Sequence, residues 1–362
     1  MSVAQIRVQT IDTNEWNMLL WIWNILACGE KNTNTDSAVY DTATETTPSW
    51  NILVDADTRG AWLSAFAPSP ADVWVVGGQP EEGKILRGNH TDGFTEFSLP
   101  TVPLLNWVHG QDDHLWVVGL HGSILEWNLD HWVDHSLAID EAFWGVHSRE
   151  TDDGLEVWAV GGSSRWGGTQ GVVYRYHTDT STPEGTWEEI ALPPEVSSVS
   201  NLFKVTFDGD NYWIVGTEGT LLYGTADNLQ AMPTGMTQDL ITVWSDSENH
   251  ALIVGGRGVG IFAEATNGTI DSVSQLIAGI NGISYHNNDI LLVGEMGYAM
   301  WNHRNTDGSM LSTEIPTVTR NILHASTAVV DSETDIRYAV GGNLATADSS
   351  YQGTILFLEM GR

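Results

Sequence analysis

The stretch DVWVVGG at 72–78 returns six more times along the chain, as HLWVVG at 114–119, EVWAVGG at 156–162, NYWIVG at 211–216, HALIVGG at 250–256, DILLVG at 289–294 and IRYAVGG at 336–342. Each copy is an aromatic or aliphatic run ending in Val-Gly. The marker glycines Gly77, Gly119, Gly161, Gly216, Gly255, Gly294 and Gly341 stand 42, 42, 55, 39, 39 and 47 residues apart. That period fits a blade of four strands rather than a helical solenoid repeat. Around each marker the apolar residues alternate or form short runs rich in β-branched and aromatic types. Asp, Asn and Gly punctuate them, as turns between strands require.

The second repeat shows the pattern of one blade: an inner strand at 105–109, an acidic turn at 111–113, the marker strand at 115–119, a Gly turn at 120–122, a third strand at 123–127 and an outer strand at 132–137. Equivalent inner strands fall at 62–66, 143–147, 202–206, 240–244, 280–284 and 322–326, and third strands at 84–87, 172–176, 220–223 and 354–358. The glycines are expected to supply a positive-φ turn between the second and third strands. The last repeat stops after its third strand. Its missing outer strand is matched upstream by SWNILVD at 49–55, which reads like HWVDHSL at 131–137 and TWEEIAL at 186–192. The expected fold is therefore all-β: a seven-bladed β-propeller of four-stranded blades over 49–362, closed by an N-terminal strand that completes the last blade.

Residues 29–48 are polar, rich in Thr, Asn, Asp and Glu, and predict a flexible tether. Before them an apolar run at 18–27 ends at Cys28, the only cysteine. Ten residues are too few to span a bilayer but suit the h-region of a secretion signal. Ile25-Leu26-Ala27-Cys28 resembles the lipobox of bacterial lipoproteins. That resemblance implies lipidation of Cys28 and an extracytoplasmic protein anchored at the outer membrane or cell surface. Segment 1–17 departs from the pattern, with Arg7 set against Asp12 and Glu15, and Met18 is an alternative start. Nothing around Cys28 would lower its pKa, so a catalytic thiol is not expected.

With one cysteine there is no disulfide framework, and ring closure must supply the stability. Forty-seven acids against fourteen bases give a formal charge of −33, and only Lys31, Lys84 and Lys204 are lysines. Phosphate backbones and anionic membrane surfaces need a basic patch that this chain lacks, so nucleic acid is excluded and a lipid anchor is the expected membrane contact. The same charge favours solubility in salt.

Seventeen tryptophans suggest sugar stacking, yet Trp74, Trp116, Trp158 and Trp213 share one column of the marker strand, and Trp50, Trp132 and Trp187 open outer strands. Both columns predict packing between blades. Trp166, in the loop 163–170, lies off the repeat. Acidic turns such as Asp208-Gly209-Asp210 and Asp246-Ser247-Glu248 lack the oxygen spacing of an EF-hand and read as solvated hairpins. His109 and His147 end neighbouring inner strands and are expected to meet near the axis, without a third ligand for a metal. Neither metal nor cofactor is expected.

The repeats resemble the bacterial propellers with BNR and YVTN-like repeats, including the photosystem assembly-factor type, whose blades read as an aromatic strand, Val-Gly-x-x-Gly and an aliphatic strand. Remnants of the Asp-box turn stand at His90-Thr91-Asp92-Gly93, Asn305-Thr306-Asp307-Gly308 and Ala265-Thr266-Asn267-Gly268. In that family such turns are structural, so the resemblance implies the fold and transfers no catalysis. Two function classes stay open: a non-enzymatic, envelope-tethered binding or assembly scaffold for a protein or glycan, and a glycan-active hydrolase or lyase on the same ring. The scattered arginines do not form the cluster a sialidase needs, which favours the scaffold, expected as a monomer. Its rim is read from three long loops between second and third strands, at 79–83, 163–170 and 343–352, which are expected to form one arc. Arg165 and Trp166 offer a cation and a large aromatic there, with Tyr351, Arg257 and His121 on neighbouring loops.

Overall fold

The computed structural model describes residues 48–111, 114–152, 154–165, 167–179, 184–330, 335–344 and 350–360. The apolar segment, Cys28, nearly all of the tether and Trp166 lie outside them. The chain enters the ring through β1 (Trp50–Asp57), which belongs to the last blade. Blade 1 follows as β2 (Ala61–Ser69), β3 (Asp72–Gln79), β4 (Glu82–Asn89) and β5 (Gly93–Phe97), paired in sequence order from the axis outward. Blade 2 repeats this as β6 (Leu105–Gln111), β7 (His114–Gly119), β8 (Ile124–Asn128) and β9 (His131–Asp134). The inner strands of blades 3 to 6 are β10 (Ala142–Thr151), β14 (Leu202–Asp208), β18 (Leu240–Ser247) and β22 (Ile280–His286). Blade 7 holds β26 (Ile322–Val330), β27 (Asp335–Asn343) and β28 (Gln352–Glu359), with β1 as its outer strand.

Closure is antiparallel: Trp50 lies opposite Leu358, Ile52 opposite Leu356 and Val54 opposite Ile355. Trp50 is buried with Leu356 and Leu358 of its own blade and Leu291 and Val293 of blade 6. An N-terminal strand thus covers the edge that β28 would otherwise expose.

The core consists of layers between blades. Trp74 packs with Leu105, Val108 and Leu115 of the next blade, Trp116 with Phe143 and Val146, Trp158 with Leu202 and Tyr212, and Trp213 with Leu240 and Val243. In blades 5, 6 and 7 Leu252, Leu291 and Tyr338 occupy the equivalent position, all fully buried. The tryptophan column is therefore structural.

Two expectations need correction. First, the inner strands run further than the apolar pattern predicted. β10 continues through Ser148, Arg149 and Glu150, which pair with Val157, Glu156 and Leu155. Polar residues hide a strand whose ladder continues after its buried face has ended. Second, the marker glycines do not make the turn. A Cβ on Gly77 would overlap the carbonyl oxygen of Ala61, one on Gly294 that of Gly279, and one on Gly341 that of Ile322; the same collision recurs in every blade. They are glycine because the backbone of the inner strand crosses against them. The positive φ belongs to the residues after them, as in the His121-Gly122 turn with φ of 52° and 67°.

Candidate functional site at the axial mouth

Close approach of the inner strand to the marker glycine is accompanied by a register step. In all seven blades the inner strand gains one residue relative to the marker strand just after this crossing. The extra residues are Leu63, Asn106, Trp144, Phe203, Ile241, Asn281 and His324. A bulge turns its side chain out of the alternation and frees backbone groups of the ladder. Here the seven side chains form one ring that lines an axial cavity of about 300 Å³.

Freed carbonyls must find donors. Asn106 Nδ2 donates to Phe143 O of the next blade at 2.8 Å, Asn281 Nδ2 to Leu323 O at 3.1 Å, and Thr242 Oγ1 to Asn281 O at 2.6 Å. Lys204 does the same in blade 4, donating from Nζ to Trp144 O at 2.6 Å and Phe203 O at 3.1 Å. Its ammonium also sits 4.0 Å from the centre of the Trp107 ring. Burial pulls the pKa of Lys204 down to about 7. His324, across the same cavity, is held down to about 4 by burial and then by the charge of Lys204, and its Nε2 is buried without a partner.

Further along the axis, Phe66, His109, His147 and Phe207 form a series of neighbouring rings, with the two histidine rings 3.8 Å apart. The expected meeting of His109 and His147 is thus observed. Ser148 N–H donates to His109 Nδ1 at 3.1 Å and His147 Nδ1 donates to Val205 O at 3.3 Å. Burial lowers both, His109 further by the charge of its neighbour, so two neutral rings pack here. No group of three or more His, Cys, Asp or Glu side chains able to hold a metal occurs among the described residues.

At the mouth the three long loops come together. Gln79 in blade 1 clamps Tyr351 in blade 7, its Nε2 donating to Tyr351 O at 2.9 Å and its Oε1 accepting from Tyr351 N–H at 2.8 Å. Arg165 in blade 3 reaches the same tyrosine, Nη2 donating to its hydroxyl at 2.7 Å. Tyr351 itself is buried against Ala61, Leu104, Leu120 and Ala142. It anchors the arc and offers little surface of its own. Arg257 stands at the mouth with 73% of its side chain exposed, and its Nε donates to Asp239 Oδ2 at 3.2 Å. His121 is exposed at the tip of its turn in blade 2. Trp166 falls outside the described residues.

The ring of seven and Lys204 went unread in the sequence, because a bulge of one residue leaves the apolar pattern almost unchanged. One signal was present: of three lysines, Lys204 alone stands inside an inner strand.

No family model matches the chain, and no curated protein resembles it in sequence. Solved structures do resemble it. The WD40 repeats of RRP9 superimpose with a TM-score of 0.65 at 8% identity, over 87% of this chain and 99% of that one. The WD40 propeller of Doa1 gives 0.59 at 11%, over 87% and 98%. Virginiamycin B lyase from Staphylococcus aureus gives 0.58 at 14%, over 85% and 99%. At such identities these likenesses show the propeller fold alone.

Proposed function

We propose that this propeller is a non-enzymatic binding or assembly scaffold for a protein or glycan partner, held outside the cytoplasm by a lipid on Cys28. The observation that carries the binding reading is the Gln79, Tyr351 and Arg165 cluster, which joins the loops of blades 1, 7 and 3 into one rim. Loops unneeded for the ring but fixed to one another form a preorganised surface, which lowers the entropic cost of association. A retaining glycosidase needs two carboxylates about 5 Å apart, whereas Glu295 is the one acid among the described residues lining the cavity, and its Oε2 accepts from Gly258 N–H at 2.8 Å. The anchor rests on Ile25-Leu26-Ala27-Cys28 and the polar segment after it.

The rim is tested by crosslinked pull-down from the native envelope with wild type, Arg165→Ala combined with Trp166→Ala, and Leu129→Ala on the opposite face. The expected result is loss of a specific partner in the rim variant alone. Retention of every partner by an equally stable rim variant rejects this surface. For the anchor, Cys28→Ala should leave the membrane fraction and lose fatty-acid labelling; unchanged fractionation rejects it.

A further inference from the structure

The arginines of the blade edges lie against carboxylates: Arg87 on Asp72, Arg149 and Arg175 on Glu156, Arg304 on Glu264, Arg337 on Asp335. Lys84 lies on Glu82 and Glu96. Lys204 differs. Its partners are two carbonyl oxygens and the face of Trp107, and no carboxylate reaches it among the described residues. The chain carries 47 acids, yet none of those among the described residues pairs with this buried amine. A buried charge without a counter-ion is unfavourable. The cost falls if an anion enters.

The surroundings define that anion. Trp107, Trp144 and Phe203 present aromatic surface to the cavity, and Leu63, Ile241 and Ile322 add aliphatic surface. His324 Nε2 and Asn106 Oδ1 are buried without partners, and both residues belong to the lining. A cavity of about 300 Å³ is near the lower bound for small-molecule sites, roughly twice the size of an engineered cavity that takes up benzene. Arg257 at the mouth adds a second positive group on the way in. The formal charge of −33 opposes this approach only over distance, since the screening length is about 8 Å in physiological salt.

We infer that the axial cavity binds a small organic carboxylate with an aromatic or aliphatic body, its oxygens taken by Lys204 and His324 Nε2 and its body packed on Trp144 and Phe203. This site lies beneath the loop rim and shares Tyr351 and Arg257 with it, but its test does not depend on any rim partner.

The test compares 4-phenylbutyrate with its neutral amide by titration calorimetry on the full chain. Wild type should bind the acid tighter by roughly tenfold or more, the size of one charge-assisted contact. Lys204→Met should remove that preference, and Ile241→Trp, which fills the cavity while leaving Lys204 in place, should abolish binding of both compounds. Equal affinity for acid and amide in wild type, or no saturable binding of either at millimolar concentration, overturns the inference. The wild-type comparison holds even if Lys204→Met fails to fold. Retained preference in a folded Lys204→Met protein also overturns it.

Discussion

Arg165 and Tyr351 are separated by 186 residues and joined by a hydrogen bond of 2.7 Å, the guanidinium lying 5.6 Å from the tyrosine ring centre. The contact spans blades 3 and 7, over blades 1 and 2. It converts three independent loop excursions into one structure, because the same tyrosine is clamped through its backbone by Gln79.

Tyr351 should therefore matter more for stability than a loop residue ordinarily does. Tyr351→Phe keeps the ring among Ala61, Leu104 and Leu120 and loses one hydrogen bond, about 1 kcal/mol. Tyr351→Ala empties a buried site and should cost about 3–5 kcal/mol. Denaturant unfolding measures both; equal effects would mean that the ring is not packed.

Much of this fold was legible in the sequence because the seven marker strands carry both their hydrophobicity and their glycines in register. Trp74 and Trp213 announce the same column, and 49–55 announces its partner at the far end of the chain. The site was legible only in part. Arg165 and Tyr351 could be named from loop lengths, but their contact depends on how far each loop bends over the mouth. The ring at Leu63, Asn106, Trp144 and His324 depends on a register step, and a one-residue step alters no composition or period that the residues display.

Closure by β1 gives a second expectation. Deleting residues 50–57 strips Trp50 from its packing on Leu291 and Leu356 and exposes the β28 edge. Cooperative melting should be lost or aggregation should appear on heating. A truncated protein that melts in one transition at the original temperature would count against closure as the source of stability.

Two glycines with different roles make a controlled comparison. Gly294→Ala forces a Cβ into the carbonyl oxygen of Gly279, which only a backbone shift can relieve. Gly308 has φ of 84° and open space around it. Gly308→Ala should cost about 1–2 kcal/mol from its left-handed backbone alone, and Gly294→Ala about 3 kcal/mol or more. Similar losses in thermal or denaturant unfolding would show that close approach is not what the marker column requires.

Stability should also fall at both ends of the pH range, for separate reasons. Burial alone would raise Glu126, but hydrogen bonds from His114 at 2.5 Å and His135 at 2.7 Å outweigh it and hold the carboxyl down at about 2, against 4.5 for the unfolded group. A depressed carboxyl contributes its full stability above pH 4.5 and loses it as pH falls through about 2. His250 is shifted the other way. The hydrogen bond to Asp246, then that to Glu264, raises it to about 9 from 6.5. Its contribution is complete below pH 6.5 and lost as pH rises through about 9. Arg304 also donates to Glu264, at 3.0 Å. Melting temperatures measured across pH should show Glu126→Gln with a flatter acid limb and Asp246→Asn with a flatter alkaline limb, each leaving the other limb intact. If either variant flattens both limbs, or neither, the pH dependence arises from groups other than these two clusters.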